Sequence, residues 1–365
     1  MKKVIGLFII TVLAVSAIFG LVACGGGEGK TGDKGIVCKK LGDDDFYTVI
    51  GYVAEEGTEV LDISAAAQEK YGNDEKTITV GRIRKGAFDG NTTLKEVIVS
   101  DSVEGTELTI DDGAFRNMRA LKKITLPFVG ANRFSAADMN VAITQADADE
   151  GTAISANDKK RLFGYIFGEE ESDALAAVTQ SYGDKSDMTA TFYIPATLTE
   201  IKISAAKEAY IPMYAFCGLA QISSVTLEGN IKAIGRAAFK NMSQLKKVNI
   251  PKDVTVIYDS AFEGTDKLKT FGDDGFKFDA ESTLAEIKDS AFKGTKLTTF
   301  DLTGTQVTVI GDYAFYGSAL VEFRFAATVE SVGAYAFAGS ENLQTLVNKP
   351  ADDKIGVNAF AGTKA

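Results

Sequence analysis

Apolar and polar residues alternate along this chain in a unit that returns about every 23 residues. The clearest copy runs from Val254 to Leu268. In it the β-branched Ile257 precedes Phe262 by five positions, Ala261 stands directly before the ring, Gly264 follows two positions after it and Leu268 six after it. An Ala-Phe pair followed two positions later by Gly or Asn occurs nine times, at Phe88, Phe115, Phe216, Phe239, Phe262, Phe292, Phe315, Phe337 and Phe360. Successive gaps are 27, 101, 23, 23, 30, 23, 22 and 23 residues. A period held this long predicts a solenoid, one quasi-linear object rather than two or three globular domains.

Each position in the unit has a physical reading. Five residues before the ring stands Ile83, Ile110, Ile211, Ile234, Ile257, Ile287, Ile310, Val332 or Ile355, β-branched in every copy. Two residues after it comes Gly in seven copies and Asn117 or Asn241 in the others, the residue types that best tolerate positive φ, so this position should close a short helical turn. A Leu or Ile five or six residues after the ring opens a Leu-x-x-Val-x-Ile pattern, as in Leu94/Val97/Val99 and Leu245/Val248/Ile250. Its last two apolar residues flank one polar residue, the period of a short strand with one buried face. Pro127 and Pro251 follow directly, and proline cannot continue a ladder. The unit is therefore a strand, a turn and a short helical segment, with strands of successive units stacking in parallel about 4.8 Å apart. The phenylalanines should form one continuous column of stacked rings.

Ile234-Gly235-Arg236-Ala237-Ala238-Phe239, joined to Leu245-Lys246-Lys247-Val248-Asn249-Ile250-Pro251, resembles the unit of the BspA-like bacterial leucine-rich repeats. So does Ile310-Gly311-Asp312-Tyr313-Ala314-Phe315. The resemblance covers residues 80–127 and 190–365 and implies an α/β repeat solenoid, curved and right-handed, with a parallel β-sheet on one face and short helical or turn segments opposite. It also implies a secreted or surface-anchored protein, often one engaged in adhesion or host-protein binding. The strand-to-loop asparagine of ordinary leucine-rich repeats is missing, so an asparagine ladder is not expected.

Outside the repeats the chain changes character. Residues 1–23 carry Lys2 and Lys3 ahead of a long apolar run, the layout of a secretory signal. The run is long enough to span a bilayer as a retained anchor, but it ends Leu21-Val22-Ala23-Cys24 before three glycines, which resembles a bacterial lipobox. That reading makes Cys24 the first mature residue and the lipid attachment site. Residues 24–35 then form a flexible tether. Residues 36–79 read as short strands capping the first coil. Residues 128–189 break the rhythm as an insertion, inside which Leu162 to Gly168 reads as an apolar, aromatic strand. Insertions in repeat proteins map to one face, often the binding face, though a lengthened coil bracing the solenoid fits equally well.

Composition excludes much chemistry. There is no histidine, which removes Ser-His, Cys-His and His-metal arrangements. There is no tryptophan, so any sugar-stacking platform would use Tyr or Phe. The formal charge is −11, and −13 once Lys2 and Lys3 leave with the signal, with no basic cluster to attract nucleic acid or an anionic membrane. Gly29-Lys30-Thr31 looks like the end of a phosphate loop, but Cys24 stands where its first glycine belongs. Asp43-Asp44-Asp45 reads as a solvated turn, and Asp147-Ala148-Asp149-Glu150-Gly151 as an acidic loop whose glycine comes one position early for calcium. No metal or cofactor is expected. Cys38 and Cys217 could pair in an exported chain, but their separation of 179 residues favours free thiols, with Cys217 exposed because other copies place charged residues there.

These features point to a lipid-anchored extracytoplasmic binding or adhesion scaffold for an extracellular protein or glycan. Its candidate binding surface is the outward strand row Thr125, Thr226, Asn249, Asp301 and Arg324. A purely structural envelope component is the alternative. An enzyme is not expected; one lacking histidine would need a Ser-Lys arrangement or paired carboxylates such as Glu169 and Glu170.

Overall fold

A computed structural model describes residues 34–42, 44–73, 77–101, 105–139, 159–172, 175–183, 188–271, 278–279 and 281–365. Two parallel ladders run side by side through it. The first consists of the strands read from the sequence: Val60–Asp62, Glu96–Ile98, Lys123–Leu126, the opening halves of Glu200–Ile211 and Ser224–Ile234, then Lys247–Val248 and Thr270–Phe271. Thr299–Asp301, Glu322–Arg324 and Thr345–Val347 form a separate three-stranded parallel sheet of the same kind. In both, the inward residues are buried, among them Val97, Ile124, Ile201, Val225, Val248, Phe300 and Phe323.

The second ladder is built by the β-branched residues five positions before each ring. Ile83 pairs with Ile110, and Ile211, Ile234, Ile257, Ile287, Ile310, Val332 and Ile355 pair in series. Each unit thus has two short strands rather than one. Glu200–Ile211 and Ser224–Ile234 run unbroken through both ladders and fuse them into one eleven-stranded sheet. No proline interrupts those two coils between the ladders.

The Ala-Phe segments are turns, not helices. The position two after each ring has positive φ in all nine copies, from Gly90 at 72° to Gly362 at 74°, with Asn117 at 57° and Asn241 at 59°. The position two before it is also left-handed in every copy, and there only Gly86 and Gly113 are glycine. Tyr214, Ala237, Ser260, Ser290, Tyr313, Tyr335 and Asn358 take φ between 52° and 58°. Two left-handed residues four apart leave no room for a right-handed helical turn between them.

The rings stack as a column. Phe216, Phe239, Phe262, Phe292, Phe315, Phe337 and Phe360 follow one another with centroids 4.8–5.2 Å apart. Phe88 stacks on Phe115 at 5.2 Å. The column does not stop at the long gap. Phe167 lies 6.4 Å from Phe115, Phe163 lies 5.5 Å from Phe167, and Phe163 lies 5.7 Å from Phe216.

This bridging comes from the segment read as a strand, which is instead a 3₁₀ helix, Phe163–Phe167. Its rings must face two neighbours at once, Phe167 toward Phe115 and Phe163 toward Phe216, and a helical turn places rings four residues apart on successive levels where a strand would spread them. Its backbone takes the place of an Ala-Phe turn: Phe115 N–H donates to Ile166 O at 2.9 Å and Phe163 N–H to Ala215 O at 2.9 Å. Meanwhile Lys123–Leu126 pairs in register with Glu200–Ile203, Thr125 opposite Lys202. The described residues between Leu126 and Glu200 therefore take the place of one coil with excursions. One excursion is the antiparallel hairpin Leu175–Ser181 with Thr189–Pro195. The buried Gln180 pins it, accepting from Gly164 N–H at 2.7 Å and donating to Ala215 O and Cys217 O at 3.2 Å.

The capping segment supplies strands Gly35–Lys39, Tyr47–Val53 and Val60–Asp62, and Val49 pairs with Ile83 at the head of the second ladder. Tyr52 sits 5.9 Å from Phe88 at the head of the ring column. It also contains a helix the strand reading misses, Ile63–Tyr71. Ser64-Ala65-Ala66-Ala67-Gln68 is a run with strong helix propensity, and Asp62 caps it by accepting from Ala65 N–H at 3.0 Å.

Candidate binding surface

The outward positions of the first ladder form two columns, one on either side of the buried central residue. In one, Glu96, Lys123, Glu200, Ser224 and Lys247 face each other in register. In the other, Ile98, Thr125, Lys202 and Thr226 do so, and Asn249 follows Thr226 one residue past the last pair. Alternating signs bind neighbouring strands together, Lys123 to Glu96 at 2.8 Å and Lys202 to Glu228 at 2.8 Å. Lys202 is a member of the row that the Ala-Phe ruler passes over, because its coil falls in the 101-residue gap. The Leu198/Ile201/Ile203 strand pattern is the signal that locates it.

The five residues of the predicted row do not form a single hydrogen-bonded row. Thr125, Thr226 and Asn249 lie on the eleven-stranded sheet, whereas Asp301 and Arg324 face each other on the three-stranded one. The coil between Phe262 and Phe292 is seven residues longer than the repeat, and among the described residues its strand Thr270–Phe271 pairs only backward, with Lys247–Val248. Their surroundings differ too. Thr125 is buried, at 8 % exposure. Asn249 spends its amide on the neighbouring backbone, accepting from Leu227 N–H at 2.8 Å and donating to Leu227 O at 2.6 Å. Asp301 accepts from Thr303 N–H at 2.8 Å and closes the turn after its strand. Arg324 is exposed beside Glu322 at 2.5 Å. Thr226 and Lys202 are half-buried.

On the turn edge, Glu170 joins the segment after the 3₁₀ helix to the first repeats. It meets Lys85 at 3.0 Å and pairs with Arg116, which also holds Asp89 at 2.6 Å. Hydrogen bonding from Lys85 and the charge of Arg116 hold the Glu170 carboxyl below its ordinary range. Glu169 turns instead to Lys159 at 2.9 Å. The two carboxyls therefore have separate cationic partners, and Glu170 is shifted away from the raised pKa a general acid needs.

Cys217 is buried, contrary to the exposure predicted from its column, because the hairpin carrying Gln180 and Ser181 covers it. Cys38 is buried as well, and both are free thiols. Burial pushes the Cys217 thiol up to about 11 and that of Cys38 up to about 12. Among the described residues no group of three or more Cys, Asp or Glu is placed to hold a metal ion. Cys24, the signal segment, most of the tether, Asp43 and the Asp147–Gly151 loop lie outside the described residues.

The family model for the BspA type leucine rich repeat region matches six copies, over residues 75–138, 187–272 and 276–365. The chain belongs to the BspA-type leucine-rich repeat family. The matched stretches cover more than half of it, and the unmatched residues 139–186 include the 3₁₀ turn that carries the BspA-type ring column across the gap. No curated protein matches. Among solved structures, a leucine-rich repeat protein from Eubacterium ventriosum is 30% identical over 40% of this chain and 37% of its own, with a TM-score of 0.32. This chain therefore spans well under half of that relative. A Treponema pallidum leucine-rich repeat protein is 22% identical over 53% of this chain and 88% of its own (TM-score 0.40), and one from Bacteroides ovatus is 16% identical over 90% and 91% (TM-score 0.32).

Proposed function

We propose that this BspA-type repeat protein is an extracytoplasmic scaffold, held to the bacterial membrane by lipid on Cys24, that binds an extracellular protein or glycan through the outer face of its first ladder. The observation that carries this is the outward row of the first ladder, in which Lys202 and Thr226 face each other in register and half-buried, offering an ammonium and a hydroxyl at strand spacing. Recognition groups mounted on regular elements keep their geometry better than groups on loops. Asp301 and Arg324 offer a second, shorter patch on the three-stranded sheet.

The anchor and the surface are tested separately. Cys24→Ser should move the protein from the detergent phase to the aqueous phase, and unchanged partitioning would remove the lipid anchor. Immobilised protein should retain an extracellular partner that a Lys202→Ala/Thr226→Ala/Arg324→Ala variant releases. Equal retention by that variant would remove the ladder face. The engagement of Asn249 and Asp301 with their own backbone favours a second reading, a structural envelope component without a specific partner.

A further inference from the structure

The turn edge of the solenoid changes character along its length. Around the earlier rings it carries charge in nearly every coil: Lys85 and Asp89, Arg116, Arg236 and Lys240, Asp259 and Glu263, Asp289 and Lys293. After Asp312, which continues the column of Asp259 and Asp289, the turns around the last three rings carry no charge. Residues 313–319, 334–340 and 357–362 contain none; Tyr316 takes the position that Lys240, Glu263 and Lys293 hold in earlier coils, while Tyr313, Tyr335 and Asn358 stand in the left-handed position, which is uncharged in every copy. Tyr313 is 40 % exposed and Tyr316 38 %. Tyr313 and Tyr335 stack nearly parallel, 5.2 Å apart, and the Tyr316 ring is tilted by 58° to Tyr313 at 5.6 Å.

Neither packing nor backbone geometry asks for these tyrosines. Tyr313 and Tyr335 occupy the left-handed position, each at φ 55°, where Gly86 and Gly113 do the same work without strain. Their rings lie outside the phenylalanine column. We propose that Tyr313, Tyr316 and Tyr335 form a binding site for a neutral glycan chain.

Three arguments select that ligand. The exposed ring area, on the order of 200 Å² for side chains of this size, is far below the roughly 800 Å² per partner that a stable protein interface needs. It suits one or two sugar rings, whose C–H faces pack on the negative π-face of an aromatic ring. Hydrogen-bonding groups border the rings, namely the phenol oxygens, the Asn358 amide that already donates to Tyr335 Oη at 3.0 Å, and Asp312. Finally, a chain of charge −11 repels polyanions, so an uncharged polymer is favoured over an acidic one. This site lies on the turn edge, away from the ladder face, so the two can fail independently.

The test titrates the full chain with the hexaoses of cellulose, laminarin, starch and mannan, and with polygalacturonate as the acidic control. Tyrosine emission can report binding, since no tryptophan masks it. At least one neutral hexaose should bind at millimolar concentration or below. Tyr316→Ala and Tyr313→Gly should each weaken it by about tenfold or more, while Lys293→Ala leaves it unchanged. An unaltered circular dichroism spectrum establishes that the variants are folded, and Tyr316→Phe should retain binding if a loss in Tyr316→Ala comes from the ring. The proposal is overturned if no neutral hexaose binds, if binding survives in both tyrosine variants, if polygalacturonate binds equally well, or if the patch captures a protein instead.

Discussion

The ring of Phe262 lies 4.8 Å from that of Phe239, within 6° of parallel, and both are fully buried. On its other side Phe262 stacks on Phe292 at 5.2 Å and 4°. Its removal opens a void between two coils that backbone bonds hold apart. Phe262→Ala should therefore cost about 3–5 kcal/mol in denaturant unfolding. A loss below about 1 kcal/mol would mean that the neighbouring rings close the gap and the column is not rigid.

Gly264, two residues past that ring, tests the left-handed position. Its φ is 71°, and a Cβ added there would stand 2.6 Å from Asn241 Oδ1. The amide can swing aside, but the backbone cannot, so Gly264→Ala should lose about 1–2 kcal/mol. Ala237→Gly, at φ 52°, should be neutral or stabilising despite the lost methyl. A loss in Gly264→Ala without a loss in Ala237→Gly is the expected result, and a loss in both would argue against conformational strain as the cause.

Much of this architecture is legible in the sequence because a repeat states its rule nine times. The period, the parallel strand of the Leu-x-x-Val-x-Ile pattern, the stacked rings and the positive φ at Gly or Asn after each ring all follow from it. The left-handed position before the ring was hidden, since Tyr, Ser and Ala occupy it and only Gly86, Gly113 and Asn358 announce it. The second ladder was visible as nine β-branched residues, but one conserved side chain per coil gives no alternation to read as a strand. Leu162 to Gly168 misleads because an apolar aromatic run has no periodicity, and only its tertiary task selects the 3₁₀ turn. The binding row was legible in its column but not in its continuity. The backward pairing of Thr270–Phe271 and the bonds of Asn249 to Leu227 are set by contacts across coils, while Asp301 is taken up by its own turn.

The two cysteines should behave as inert core residues. With burial raising both thiols, to about 12 for Cys38 and about 11 for Cys217, almost no thiolate exists in the folded protein near pH 8. Iodoacetamide should label neither at that pH until denaturant is added, then label both. Rapid labelling of Cys217 in the folded chain would show that the Gln180 hairpin does not cover it.

Acid should loosen the turn edge. Burial alone would raise the Glu263 carboxyl, but hydrogen bonds from Lys240, Ser260 and Lys293 outweigh it and hold the group below its ordinary value of 4.5. A carboxyl depressed by folding stabilises the protein above its unfolded pKa, and that contribution is lost as pH falls through the folded pKa. Unfolding midpoints of the parent and of Glu263→Gln should therefore differ most near neutral pH and converge as pH falls well below about 4. A constant difference across that range would assign the effect to packing alone.

The ring column and the outward row from Ile98 to Asn249 both pass through the 101-residue gap without a break. Native-state hydrogen exchange reads this at two amides, Phe115 N–H on Ile166 O and Phe163 N–H on Ala215 O. Both should exchange as slowly as Phe239 N–H and Phe216 N–H, which make the corresponding bonds in regular coils. Fast exchange at Phe115 and Phe163 beside slow exchange at Phe216 and Phe239 would show two separate stacks and contradict it.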